Sequence, residues 1–166
     1  KTMDFKFTND YSLSRLDEIV SYLLGPRLWI PSTDYPDFLD WADKTWKELK
    51  KENKRAVISL SYNRIVGVTV YQRHKKYADA LEIKNLTVRP DYRGRYIASF
   101  LLKNTEIEGA KEFNSKYVLC DAKAKNIAVK NFLLKHRYST ISRTDLYNLN
   151  AGDDLIYRKN LVSLIF

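Results

Sequence analysis

The amino-acid sequence predicts an α/β (α+β) fold: a mixed central sheet of six to seven strands flanked by about four helices, in a single domain spanning residues 1–166. Three observations lead there. The chain has 166 residues, 45% of them hydrophobic, which suits one compact core. Apolar residues recur with a helical period in some segments and form short strand-like runs in others. The two kinds of segment follow one another in the order β-α-α-β-β-β-α-β-α-β-β, with no internal repeat and no Pro/Gly-rich linker between them.

Taken in order, a short strand is expected at residues 4–8 and a helix at about 13–24. Ser12 or Asn9-Asp10 are its cap candidates, and Gly25-Pro26 stops it. Residues 27–37, with Pro31 and Pro36, read as irregular. A second helix covers about 35–53, with Phe38, Trp41, Ala42, Trp46 and Leu49 at helical spacing. Strand runs at 56–62 and 66–73 are joined through Asn63-Arg64, where asparagine suits a hairpin tip. A third run, 80–88, leads into Arg89-Pro90. The next helix covers 97–114, and Phe100, Ile107, Ala110 and Phe113 fall on one face of it. A short strand at 117–121, a helix capped by Asn126 and reaching His136, and strands at 138–148 and 155–160 complete the chain.

Composition limits the function classes. No apolar stretch approaches the ~18–20 residues of a membrane-spanning helix. The first residues, Lys1-Thr2-Met3-Asp4-Phe5, lack the apolar run of a secretion signal. One cysteine, Cys120, and two histidines, His74 and His136, make a poor metal set, so no metal is expected. A lone thiol fits a reducing cytoplasm. The 29 basic and 20 acidic residues leave a formal charge of +9, which favours polyanionic partners: nucleic acid, or a phosphorylated cofactor. The basic clusters, Lys47 to Arg55 and Arg73 to Lys76, also read as ordinary solvated surface. The apolar end, residues 161–166, offers a surface for a second copy, hence a homodimer expectation.

One segment carries chemistry. The strand run ends at Val88-Arg89-Pro90, a short turn holds Gly94, and a helix begins near Ile97. Such a joint aims unpaired backbone N–H groups at one spot, where the helix dipole adds partial positive charge. Arg93 and Arg95 add full charges, which makes an anion site suited to a pyrophosphate. An ordinary strand–turn–helix joint with surface arginines is the competing reading. Neither a Walker loop nor a three-glycine dinucleotide fingerprint is present.

The segment Arg93-Gly94-Arg95-Tyr96-Ile97-Ala98 resembles the acetyl-CoA signature Arg/Gln-x-x-Gly-x-Gly/Ala of the GNAT (Gcn5-related) N-acetyltransferase superfamily. Val88-Arg89-Pro90-Asp91-Tyr92 is similar to the approach to that loop, and Phe100-Leu101-Leu102 to the start of its helix. A second block, residues 126–138, resembles the superfamily's Asn-x-x-Ala-x-x-Phe-Tyr-x-Lys-x-Gly-Phe. The resemblance implies a three-layer GNAT-like fold and an N-acetyltransferase with acetyl-CoA as co-substrate, acting on a primary amine of a small molecule, polyamine or protein. It implies that Leu86, Thr87 and Val88 pair with the pantetheine arm, and that amides of Arg93, Gly94, Arg95, Tyr96, Ile97, Ala98 and Ser99 hold the pyrophosphate. Asn126 and Phe132 would lie at the pantetheine region, and the strands carrying Val88 and Cys120 would splay to admit the thioester. Three positions depart from the pattern. Tyr96 replaces the middle glycine, which fits if residue 96 takes helical angles. Leu133 replaces a tyrosine that often serves as general acid, with Tyr138 and Tyr147 as conceivable substitutes. Arg137 replaces a glycine, which implies a different helix cap.

An ammonium cannot attack a thioester, so a base is needed. Glu82 lies eleven residues before Arg93, an offset similar to that of the glutamate base in histone-acetylating members. The competing reading pairs it with Lys84. Cys120, in an apolar strand, reads as inert core. The helix at 35–53 and its approach carry Trp29, Tyr35, Trp41 and Trp46 with Asp34, Asp37, Asp40 and Asp43, an amine-holding wall or plain core and solvated face. Two other functions remain open: acetylation of an aminoacyl-tRNA, as in some toxin members, and a non-catalytic acyl-CoA sensor.

Overall fold

The structure is a computed structural model that describes residues 5–9, 11–23, 38–144 and 153–161. Its elements are β1 (Phe5–Thr8), α1 (Ser14–Leu23), α2 (Phe38–Lys50), β2 (Arg55–Ser61), β3 (Arg64–Arg73), β4 (Ala80–Val88), a 3-10 turn (Pro90–Tyr92), α3 (Ile97–Phe113), β5 (Tyr117–Lys123), α4 (Ile127–Lys135), β6 (Ser139–Thr144) and β7 (Asp154–Asn160). The order is the one the sequence predicts. The strands form one seven-stranded sheet in the order β1-β2-β3-β4-β5-β7-β6. β4 and β5 run parallel, whereas β1/β2, β2/β3, β5/β7 and β6/β7 are antiparallel. A parallel pair needs a long crossover, and α3 is that crossover. Its register runs only from Ala80↔Tyr117 to Ile83↔Cys120, while β4 continues to Val88.

The chain divides into two compact units, Lys1–Gln72 with Asn85–Thr105, and Arg73–Lys84 with Glu106–Phe166. In the first, α1 buries Leu16, Ile19 and Leu23, spaced three and four apart, against Leu49 of α2 and Ala56, Ile58, Ile65, Val68 and Val70 of the sheet. Each leucine, isoleucine or valine among these contributes about 1.5–3 kcal/mol when removed from water. Trp41 and Trp46 pack against this core, and the Trp46 indole N–H donates to Asp17 Oδ1 at 2.9 Å. Those two tryptophans are structural; Trp29, Asp34, Tyr35 and Asp37 lie outside the described residues, as do the Gly25-Pro26 stop and Tyr147.

The β2–β3 hairpin turns at Tyr62-Asn63, one residue earlier than expected, because Arg64 already pairs with Ser61. Both turn residues have positive φ, 51° and 64°, which matches the right-handed twist of the strands. The Arg15 guanidinium donates to the Asn63 carbonyl at 3.2 Å and to its side-chain oxygen.

In the second unit, Leu81, Val118, Leu119, Cys120, Leu133, Leu155, Tyr157 and Leu161 are buried. Leu161 is held in place by its amide, which donates to the Lys116 carbonyl at 2.8 Å; residues 162–166 lie outside the described residues. Two buried ionic groups sit among these apolar ones. Glu106, 1% exposed, accepts from the Tyr138 phenol at 2.6 Å and from Lys159 Nζ at 3.0 Å. Lys123 pairs with Asp154 directly opposite it, at 3.2 Å. A buried charge of this kind is tolerated only with its partner in place.

α3 does not bury the face that its large apolar residues suggest. Phe100 is 55% exposed, and the buried positions are Ile97, Leu101, Leu102, Thr105 and Glu106. Small residues decide this. A Cβ on Gly109 would lie 2.4 Å from Leu81 Cδ2, and one on Gly67 would lie 2.8 Å from Leu101 Cδ1. Close approach at these two glycines fixes which side of the helix faces the sheet, and Phe100 lies off that side. No described helix is long and apolar enough to cross a membrane.

Candidate cofactor site

The loop after β4 is anchored at both ends. The Arg89 amide donates to the Val66 carbonyl of β3 at 2.8 Å, so the end of β4 is tied to its neighbour. The 3-10 turn closes with Tyr92 N–H to the Arg89 carbonyl at 2.9 Å. Proline at its first position has the fixed φ that such a turn needs. Gly94 then takes φ +78°, a conformation glycine adopts without strain, with nothing within 4 Å of where a Cβ would stand. On the far side, the Phe100 amide donates to the Tyr96 carbonyl at 3.1 Å and begins the ladder of α3. Amides of Tyr96, Ile97 and Ala98 precede that bond and are those that a helix start leaves to a ligand.

Charge gathers around these amides. Arg89 Nε lies 3.5 Å from Asp91, Arg93 Nε donates to the Val88 carbonyl at 3.3 Å, and the Arg95 guanidinium sits 4.9 Å over the Tyr92 ring. Arg93, Gly94, Arg95 and Tyr96 are exposed, Ala98 and Ser99 half-buried, and Ile97 buried as an anchor. Tyr22 of α1 comes from outside the motif. Its phenol donates to the Val66 carbonyl at 3.4 Å. Burial pushes its pKa up to about 12, while the nearby Thr87 hydroxyl and the charges of Arg89 and Arg93 pull the other way. Sequence patterns carry no signal for Tyr22, because only the packing of α1 brings it to the end of β4.

In the second unit, Glu82 is half-buried on β4, its Oε2 3.7 Å from Lys84 Nζ on the same face of the strand. Its register partner on β5 is Leu119, and Ile83 pairs with Cys120. Burial, then Asp121 and Glu106, hold the Cys120 thiol far above its ordinary range, so it stays a neutral core group. Asn126 caps α4, its Oδ1 accepting from the Val129 amide at 3.2 Å. Phe132 packs on His136 with tilted rings, centroids 4.6 Å apart. Burial, then the charge of Lys159, lowers the His136 pKa. Among the described residues no cluster of His, Cys, Asp and Glu could hold a metal ion.

With this geometry in view, the sequence profile of the Acetyltransferase (GNAT) family matches residues 18–137. The chain belongs to the GNAT acetyltransferase family. No curated protein sequence matches it. Solved structures share the GNAT fold at low identity. A protein assigned to the family from Desulfovibrio desulfuricans is similar with a TM-score of 0.79 and 11% identity, over 95% of this chain and 99% of that one. The ribosomal-protein-S18-alanine N-acetyltransferase of Escherichia coli gives 0.73 and 15%, over 95% and 94%. A protein assigned as a streptothricin acetyltransferase from Bacillus anthracis, solved with acetyl coenzyme A, gives 0.58 and 20%, over 65% and 62%.

Against the GNAT signature, two departures take unexpected forms. Tyr96 is not helical: its φ is +63°, the left-handed region where glycine is unstrained and a side chain costs roughly 1–2 kcal/mol. The cap of α4 is likewise the one glycine makes. Arg137 has φ +70°, its amide donates to the Leu134 carbonyl at 3.1 Å, and Tyr138 N–H reaches the Leu133 carbonyl at 3.0 Å. That is a Schellman motif with arginine in the glycine slot, not a different cap. Both residues take the backbone angles that glycine favours and carry the strain of a side chain there. The tyrosine acid has no substitute at Tyr138, whose buried phenol is committed to Glu106 and raised well above its ordinary range by burial and that carboxylate.

Proposed function

We propose that this chain, as a single GNAT-like domain over residues 1–166, transfers an acetyl group from acetyl-CoA to a primary amine. The observation that carries the reading is the row of helix-start amides at Tyr96, Ile97 and Ala98 beside Arg93 and Arg95, which fits a diphosphate. A second feature fits the pantetheine arm. Asn85 Oδ1 is buried and has no hydrogen-bond partner among the described residues, an acceptor that an amide N–H of that arm would satisfy. In this reading Leu86, Thr87 and Val88 pair with the arm like an added strand, Arg93 to Ser99 hold the diphosphate, and Asn126 and Phe132 line the pantetheine region.

Glu82, through a water, takes the proton that the ammonium must lose before its nitrogen attacks the thioester carbon. The C–N bond forms as the carbonyl becomes an oxyanion, which N–H groups near Thr87 and Val88 stabilise. Collapse breaks the C–S bond, and the thiolate leaves, taking up through water the proton that the new amide nitrogen gives up. With a pKa of about 8.5 it departs without a strong acid, which suits a chain with Leu133 in place of tyrosine. The lone thiol of Cys120 suits a reducing compartment such as the cytoplasm. Calorimetry with acetyl-CoA, followed by thiol release across a panel of small amines, polyamines and peptides, tests the proposal. Micromolar binding with release for one amine class is expected; absence of binding overturns it.

A further inference from the structure

The geometry points to Tyr96 as the residue that stacks on the adenine ring of the coenzyme, an inference that rests on the acetyl-CoA reading above. Tyr96 occupies a left-handed backbone position, φ +63°, where glycine would sit without strain. The residue is 70% exposed, so burial does not explain a tyrosine there. Tyr62 at the hairpin tip shares both features; what sets Tyr96 apart is its place beside the amides that fit the diphosphate.

The surroundings are aromatic as well. Phe100, one turn further along α3, is 55% exposed and backed by Phe7 of β1, ring centroids 5.6 Å apart. Tyr92 meets Phe5 edge-on at 6.2 Å and carries the Arg95 guanidinium on its face. Isolated exposed apolar side chains are ordinary, but Tyr92 and Phe100, four residues either side of Tyr96, are each braced by a ring of β1.

The connectivity of the coenzyme selects the occupant. Adenosine follows the diphosphate directly, so a diphosphate on the amides of 96–98 leaves the base within one ribose of this corner. Every base has a π-face, and an aromatic side chain takes it with little demand on geometry. A ring lying across its own backbone amides would instead plug the cradle, and Tyr96→Gly would then bind the coenzyme more tightly.

The test uses the full chain and two variants, Tyr96→Phe and Tyr96→Gly. Calorimetry with coenzyme A is expected to give Tyr96→Phe the wild-type affinity and Tyr96→Gly a loss of about 5- to 20-fold. Emission of saturating 1,N6-etheno-coenzyme A is expected to be quenched on wild type and Tyr96→Phe, but not on Tyr96→Gly. The glycine variant should also melt at a higher temperature, since it relieves the left-handed strain, so a lost affinity is not a lost fold. Equal or tighter coenzyme binding by Tyr96→Gly, or identical emission from all three proteins, overturns the inference alone. Coenzyme A that fails to bind the wild type overturns the acetyl-CoA reading, and this inference with it.

Discussion

Glu82 is where the two readings of one residue can be separated. Its 3.7 Å approach to Lys84 is loose for an ion pair, and a partly exposed pair contributes little to stability. As a base it would matter far more. Glu82→Gln is therefore expected to lower kcat about 10²- to 10⁴-fold with acetyl-CoA affinity unchanged, read by thiol release and calorimetry. Near-wild-type turnover would reduce Glu82 to a surface partner of Lys84. His136 makes a separate prediction. The folded chain depresses its pKa through burial and Lys159, so below pH about 6.5 the unfolded chain takes up a proton that the folded one resists. This group's contribution to stability is present above that pH and falls as pH drops through the window under it. Urea midpoints of His136→Gln against wild type should show a shallower acid-side decline for the variant.

Helix ends in this chain show a consistent habit. With five glycines in the sequence, left-handed positions go to other residues: Glu52 after α2, Asn114 after α3 and Arg137 after α4. The α2 end repeats the Schellman pattern, with Asn53 N–H to the Glu48 carbonyl at 2.9 Å and Glu52 N–H to the Leu49 carbonyl at 3.2 Å. Arg137→Gly should thus stabilise the chain by about 0.5–1 kcal/mol, the left-handed cost of a side chain less the extra entropy of glycine. Equilibrium denaturation checks this, and a loss of stability would mean that the Arg137 side chain makes contacts worth more than the strain. The existence and order of the elements were legible because each segment's period and punctuation agree locally. Which face of α3 is buried was not, because Gly67 and Gly109 act by what they lack, and their consequence appears only when a facing side chain such as Leu81 arrives.

At the scale of the molecule, the charge of +9 reads as a field for phosphorylated ligands, and the arginines at 89, 93 and 95 concentrate it at the loop. Acetyl-CoA affinity is accordingly expected to weaken several-fold between about 50 and 200 mM salt, in calorimetric titrations, as the screening length shortens. Binding indifferent to salt would mean that backbone amides alone hold the phosphates. The same charge does not identify an acceptor, and the buried Lys123 and half-buried Lys159 are already paired with Asp154 and Glu106.

The linear chain determined the α/β order, the strand–turn–helix joint at residues 86–99 and the cap at Asn126, because each depends on residues within a few positions of one another. Tertiary structure alone decided the left-handed angles at Tyr96 and Arg137, the place of Tyr22 beneath the loop, the orphaned Asn85 oxygen and the Glu106–Tyr138–Lys159 group. These depend on which distant segments meet. A buried charge, a strained angle or an unsatisfied acceptor has no local period to announce it.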